Sequence, residues 1–99
     1  MIVRIVKMQF KPEHIPTFKN IFEEKKEKIR NFPGCQHLEL LQGTEAKNNV
    51  FFTYSYWDTE EDLNNYRYSD VFKETWSMTK VLFSAKPEAI STHKLHNLE

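Results

Sequence analysis

The chain has 99 residues, enough for one domain and one modest core. Lys+Arg and Asp+Glu number 14 each, so no net field draws in nucleic acid or an anionic membrane surface. A lone cysteine, Cys35, excludes an intrachain disulfide and a cysteine-based zinc site, and two glycines, Gly34 and Gly43, cannot make a phosphate-cradling loop.

No apolar run approaches the roughly 18 residues that a membrane span needs. Met1 leads straight into a strand pattern and leaves no room for a signal peptide. The expectation is a soluble cytoplasmic protein with neither a nucleic-acid nor a membrane partner.

Ile2 to Phe10 is a first strand with neither face cleanly polar. Ile2, Val6, Met8 and Phe10 share a face with Arg4, and Val3, Ile5, Lys7 and Gln9 share the other. Lys11-Pro12-Glu13 ends it. A helix is then expected from about Pro12 to Asn31, with Ile15, Phe18, Phe22, Ile29 and Phe32 on its inner stripe and Ile21 alongside. Lys25 falls on that stripe. Either its aliphatic stem snorkels to the helix edge or it places a cation at a pocket rim. The charged run Glu23 to Arg30 reads as a solvated face with pairs such as Glu24 and Lys28. Phe32-Pro33-Gly34 closes the helix.

Cys35 to Gln42 is the second strand. Leu38 and Leu40 lie on one face with Gln36 and Gln42; Cys35, His37, Glu39 and Leu41 lie on the other. Gly43 to Asn49 is a polar turn into a third strand, Val50 to Trp57, and the two form an antiparallel hairpin. Asp58-Thr59 stops the third strand. Thr59, with Asp62 three residues on, is close to a capping box, and Glu60, Glu61 and Asp62 suit the positive end of a helix dipole. A short helix carries Leu63 and Tyr66 inward. Ser69-Asp70 caps a second, whose face holds Phe72, Trp76, Thr79 and Phe83, widened by Val71, Thr75, Met78 and Leu82. Ser84-Ala85-Lys86-Pro87 breaks the pattern, and Ala89 to His96 is the last strand.

The order strand, helix, strand, strand, helices, strand predicts an α+β chain: a ferredoxin-like βαββαβ sandwich with a four-stranded antiparallel sheet, in one domain spanning residues 1–99. Helices cover one face of such a sheet. Yet the third strand has Phe51 and Trp57 on one face and Val50, Phe52, Tyr54 and Tyr56 on the other. That second aromatic face predicts a homodimer packed sheet to sheet around a barrel-like centre.

The chemistry-bearing side chains are sparse. His14 opens the first helix. His93 and His96, three apart on a strand, point to opposite faces and cannot chelate one metal together. His37 and His93 are the candidates for a general base, against the plainer reading of hydrogen-bonded or half-exposed histidines. Trp57, Tyr66 and Trp76 flank the place where helices meet sheet. They are either core or the wall of a pocket for a flat small molecule, with an indole N–H or a phenol to orient it. The expected pocket is Val6, Met8, Phe22, Trp57, Tyr66 and Trp76.

The stretch Phe51 to Trp76 carries a resemblance. A strand ending in tryptophan, an acidic helix start, then an aromatic and the string Ser69-Asp70-Val71-Phe72-Lys73 resemble the antibiotic biosynthesis monooxygenase family, and the flanking elements fall in that family's order. The resemblance implies a dimeric α/β barrel and two chemistries. Haem-degrading members use a helical histidine as iron ligand, a tryptophan on the preceding helical segment and an asparagine on the first strand. Aligned on the shared string, those positions hold Trp76, Tyr66 and a residue near Val6. Trp76 cannot ligate iron and Val6 cannot hydrogen-bond an iron-bound oxygen, so haem degradation is disfavoured. The cofactor-free branch remains. There a quinol, phenol or anthrone-like aromatic is deprotonated and reacts with O2 directly, without cofactor or metal. The alternative is a non-catalytic dimeric small-molecule-binding or structural module of the same fold, or an isomerase-like or substrate-carrying relative.

Overall fold

β-branched and aromatic residues build the two central strands of the sheet. In the computed structural model, which describes residues 1–99, the strands are β1 (Ile2–Gln9), β2 (Cys35–Gln42), β3 (Val50–Trp57) and β4 (Glu88–His93). They lie in the order β2-β3-β1-β4, all neighbours antiparallel. Three helices pack on one face: α1 (Ile15–Arg30), α2 (Glu60–Arg67) and α3 (Asp70–Lys80). This is the ferredoxin-like α+β sandwich that the element order predicts. No helix is long and apolar enough to cross a membrane.

Local chemistry sets the helix starts. Thr59 Oγ1 accepts from the Asp62 amide at 3.1 Å and Ser69 Oγ from the Phe72 amide at 3.2 Å, so each of the paired helices has its own side-chain cap. The α-helix begins at Ile15 rather than Pro12, after a 3-10 turn at Pro12–His14. Pro16 lacks an N–H and is tolerated only in a first turn; a start at Pro12 would have put it where an i→i−4 bond is needed. Gly34, at φ +88°, allows the chain to turn beneath α2, where a β-carbon would collide with Asp62.

Three further details differ from the sequence expectation. The β2–β3 register shifts between Cys35 and His37, so Cys35 points to the helix side opposite Trp57 while His37 stays on the far face. The last strand ends at His93, not His96, because its partner β1 begins at Ile2, which pairs with His93. Lys25 neither snorkels nor rims a pocket. Its side chain is 4% exposed and its Nζ donates to Glu74 at 2.7 Å, tying α1 to α3.

That ion pair predicts a pH dependence. Hydrogen bonding to Glu74 raises Lys25 above the ordinary lysine value, and the same bond holds Glu74 below the ordinary carboxylate value. The pair therefore stabilises the fold between those two ordinary values. The contribution disappears in acid as Glu74 protonates at its lowered value, and in base as Lys25 deprotonates at its raised one. Glu74→Gln is expected to lower Tm at neutral pH and to flatten the acid limb of stability against pH. Thermal melts across that range check it.

The core is split. One cluster gathers Met8, Phe10, Phe18, Ile21, Phe51 and Leu82; the other gathers Ile2, Cys35, Trp57 and Leu63, with Phe32 and Tyr66 against it. Large residues stand at both ends of the helix-facing rows and small or polar ones at their centre. On β3 the row runs Phe51, Thr53, Ser55, Trp57. On β1 it runs Ile2, Arg4, Val6, Met8, paired across to that row from the other end. The mid-sheet floor is therefore low.

Candidate functional site

A cavity of about 440 Å³ lies over that low floor, between the two core clusters. Arg4 and Val6 from β1, Thr53 and Ser55 from β3, Leu38 from β2 and Ala89 from β4 make its base. Phe18, Phe22 and Ile29 of α1 form one wall. Tyr66 and Arg67 at the end of α2, with Phe72, Thr75, Trp76 and Thr79 of α3, form the other. The break at Tyr68-Ser69 separates the two helices and leaves this wall open to a ligand-sized space.

The aromatic wall is a connected series. Tyr66 stacks on Trp57 at 5.0 Å and meets Phe72 edge-on at 5.3 Å; Phe72 lies parallel to Trp76 at 5.9 Å. Most hydroxyls on the floor and wall are already engaged. Thr75 and Thr79 return to helix carbonyls, and Ser55 Oγ accepts from the Trp57 indole at 2.9 Å. The Tyr66 hydroxyl and the Trp76 indole N–H have no hydrogen-bond partner in the chain, and neither is sealed from the cavity or solvent. Burial pushes the Tyr66 phenol far above its ordinary value, with the Cys35 thiol adding to the shift, so Tyr66 is a donor at neutral pH and not a base.

Five of the six residues expected at a pocket from sequence (Val6, Met8, Phe22, Tyr66 and Trp76) line this one space. Trp57 does not. It is fully buried behind Tyr66, with its N–H spent on Ser55, because it is the helix-side terminus of β3 and packs on Phe32 and Cys35. The two candidate bases stand elsewhere. His37 is on the far face of the sheet, 3.2 Å from Glu39, with its ring tilted against Tyr56 at 4.6 Å. His93 is exposed at the end of the edge strand β4. No Asp, Glu, His or Lys lines the cavity. No group of three or more His, Cys, Asp or Glu side chains is placed to hold a metal ion.

Sequence reasoning missed Arg4, Arg67, Thr53, Ser55 and Phe72 as lining residues. The signal for Thr53 and Ser55 is the step from large to small along one face of β3, and for Arg4 it is a charge on an otherwise apolar strand face; Arg67 had none beyond its place next to Tyr66.

The model of a protein family described as antibiotic biosynthesis monooxygenase matches residues 1–76, from β1 through most of the aromatic wall. Among solved structures, a conserved protein from Methanosarcina mazei Go1 superposes with a TM-score of 0.87 at 25% identity, covering 95% of this chain and 93% of its own. A Nitrosomonas europaea protein named provisionally as an antibiotic biosynthesis monooxygenase gives 0.88 at 18% identity, over 97% of this chain and all of its own. Rv0793 from Mycobacterium tuberculosis gives 0.87 at 12%, over 99% and 98%. The last two are likenesses of fold. A comparison with functionally curated proteins yields no match.

Proposed function

The chain belongs to the antibiotic biosynthesis monooxygenase family, and from that premise we propose that it is a cofactor-independent monooxygenase acting with O2 on a small electron-rich aromatic. The observation that carries this is the cavity itself: about 440 Å³, walled by Phe22, Tyr66, Phe72 and Trp76, and sized for a two- or three-ring substrate. A flat ring lies along the Phe72–Trp76 wall, and the Tyr66 hydroxyl donates to a substrate oxygen.

For an anthrone-like substrate the reaction balances without an external reductant. The substrate loses a proton to water, its carbanion transfers electrons to O2, and one oxygen forms a new carbonyl on the former CH2 carbon. The other oxygen leaves as water with the two hydrogens of that carbon. With no carboxylate or histidine on the wall, the protein acts by orienting the substrate, excluding bulk water and donating to the developing enolate oxygen from Tyr66. The substrate must therefore be able to ionise unaided and be easily oxidised by O2, and ease of oxidation favours quinols and anthrones over simple phenols.

Oxygen uptake by the pure protein with a panel of hydroquinones and anthrones tests the reading. Uptake above the uncatalysed rate, lost on adding an inert aromatic competitor, supports it. The absence of a lining base also favours a second reading, a binding module without turnover. Tight aromatic binding with no oxygen consumption across the panel would select that module.

A companion expectation concerns haem. Trp76 and Val6, at the positions where haem-degrading relatives place an iron ligand and an asparagine, offer iron no donor. Titration with haemin is expected to give no sharp Soret band of a ligated complex and, with a reductant, no tetrapyrrole product. Stoichiometric conversion would refute it.

A further inference from the structure

The cavity's charge is one-sided. Two of its 18 lining residues are charged, and both are arginines: Arg4 at mid-β1 and Arg67 at the end of α2. The ion pairs of the chain are Lys7–Glu88, Lys25–Glu74, Lys26–Glu23 and His37–Glu39, so neither guanidinium has a carboxylate partner. Arg4 donates once, to Ser91 Oγ at 3.0 Å, which fixes its position against β4 and leaves most of its five N–H donors uncommitted. Arg67 makes no side-chain hydrogen bond within the chain. A chain with equal numbers of acids and bases thus has two unneutralised cations facing one apolar space.

We propose, resting on the monooxygenase reading of this cavity, that its substrate is an organic anion: an aromatic body carrying a carboxylate that Arg4 and Arg67 clamp while the rings lie along Phe72 and Trp76. The planar guanidinium fork matches a carboxylate, and a partly desolvated arginine is the side chain suited to hold one. Burial, and secondarily the charge of Arg67, pushes Arg4 below its ordinary value, a repulsion that a bound anion relieves. The clamp sits at the Arg67 end of the wall. It therefore fixes which end of the substrate lies against Tyr66, giving orientation that the apolar wall cannot supply.

Calorimetric titration of the purified protein with naphthoate and with naphthamide, its neutral counterpart of the same shape, tests the assignment. The wild type is expected to bind naphthoate about tenfold tighter, a preference that shrinks with added salt. Arg67→Gln, at an exposed helix end where folding is not at risk, is expected to weaken naphthoate far more than naphthamide and so remove most of that preference. Arg4→Gln should do the same. Equal binding of the two ligands by the wild type overturns the anion clamp and leaves the aromatic cavity standing. A preference that survives both substitutions overturns it as well, since the anion is then read elsewhere. Binding of neither ligand at millimolar concentration removes the cavity reading, and the clamp with it.

Discussion

Sedimentation of the protein at micromolar concentration is expected to give about twice the 11.9 kDa chain mass. The helices cover one side of the sheet, and the uncovered side carries Ile5 of β1, Phe52, Tyr54 and Tyr56 of β3, Leu41 of β2 and Ile90 of β4 around a buried Val3. Leu41 and Ile90 are 43% and 59% exposed in the isolated chain. An apolar and aromatic face this broad is costly to leave in water, and a second copy of the same face is self-complementary across a two-fold axis. The polar members of the face pair within it: Lys7 with Glu88, His37 with Glu39, and Lys94 over the Tyr56 ring at 4.3 Å. Burying the face therefore leaves few unpaired charges. Phe52→Glu is expected to give a monomer with its secondary structure intact, because Phe52 faces away from both core clusters. A wild type that sediments as a monomer at that concentration would defeat the proposal.

The fold was legible because its signals are local and strong. The β-branched and aromatic content of Ile2–Gln9 and Val50–Trp57 and the two hydroxyl caps at Thr59 and Ser69 place elements without reference to anything distant. What was not legible depends on pairing partners. The end of β4 is set by where β1 begins, and the facing of Cys35 by a register shift against β3. Lys25 looked anomalous on an apolar stripe because its partner, Glu74, is 49 residues away on another helix.

The site was half legible for a related reason. Large side chains such as Tyr66 and Trp76 announce themselves, but a cavity is made by what is small. Thr53 and Ser55 on β3 and Ala89 on β4 create the space, and their contribution appears only once three strands are aligned in register. Trp57 shows the converse error. A large aromatic at the edge of the right region is core, because its position at the strand end places it under Tyr66 and Phe32 instead of over the low centre. Arg4 alternated inward among apolar neighbours, the kind of local inconsistency that marks a functional position.

Two tryptophans, one spent on the core and one on the cavity wall, predict opposite consequences of the same substitution. Trp57 is completely buried, stacked on Tyr66 and hydrogen-bonded through its indole to Ser55. Trp57→Ala should cost roughly 3–5 kcal/mol, a large share of the stability of a domain this size. It also leaves Ser55 without its donor at the cavity floor. Trp76 is half-buried, packs on Phe72 and on Phe83 at 5.5 Å, and turns an edge to the cavity with its N–H unspent. Trp76→Ala removes less buried area and opens onto existing space instead of creating a sealed void, so its stability loss should be clearly smaller, while aromatic-ligand binding and any oxygenation fall. Tyr66→Phe separates packing from chemistry at the same wall. It keeps the stacks on Trp57 and Phe72 and deletes a hydroxyl that bonds to nothing in the chain, so stability should hold while affinity for an oxygen-bearing aromatic drops several-fold. Denaturant unfolding and ligand titration on the three variants decide the matter. If Trp76→Ala unfolds the protein as Trp57→Ala does and Tyr66→Phe binds like the wild type, the wall is core and the site lies elsewhere.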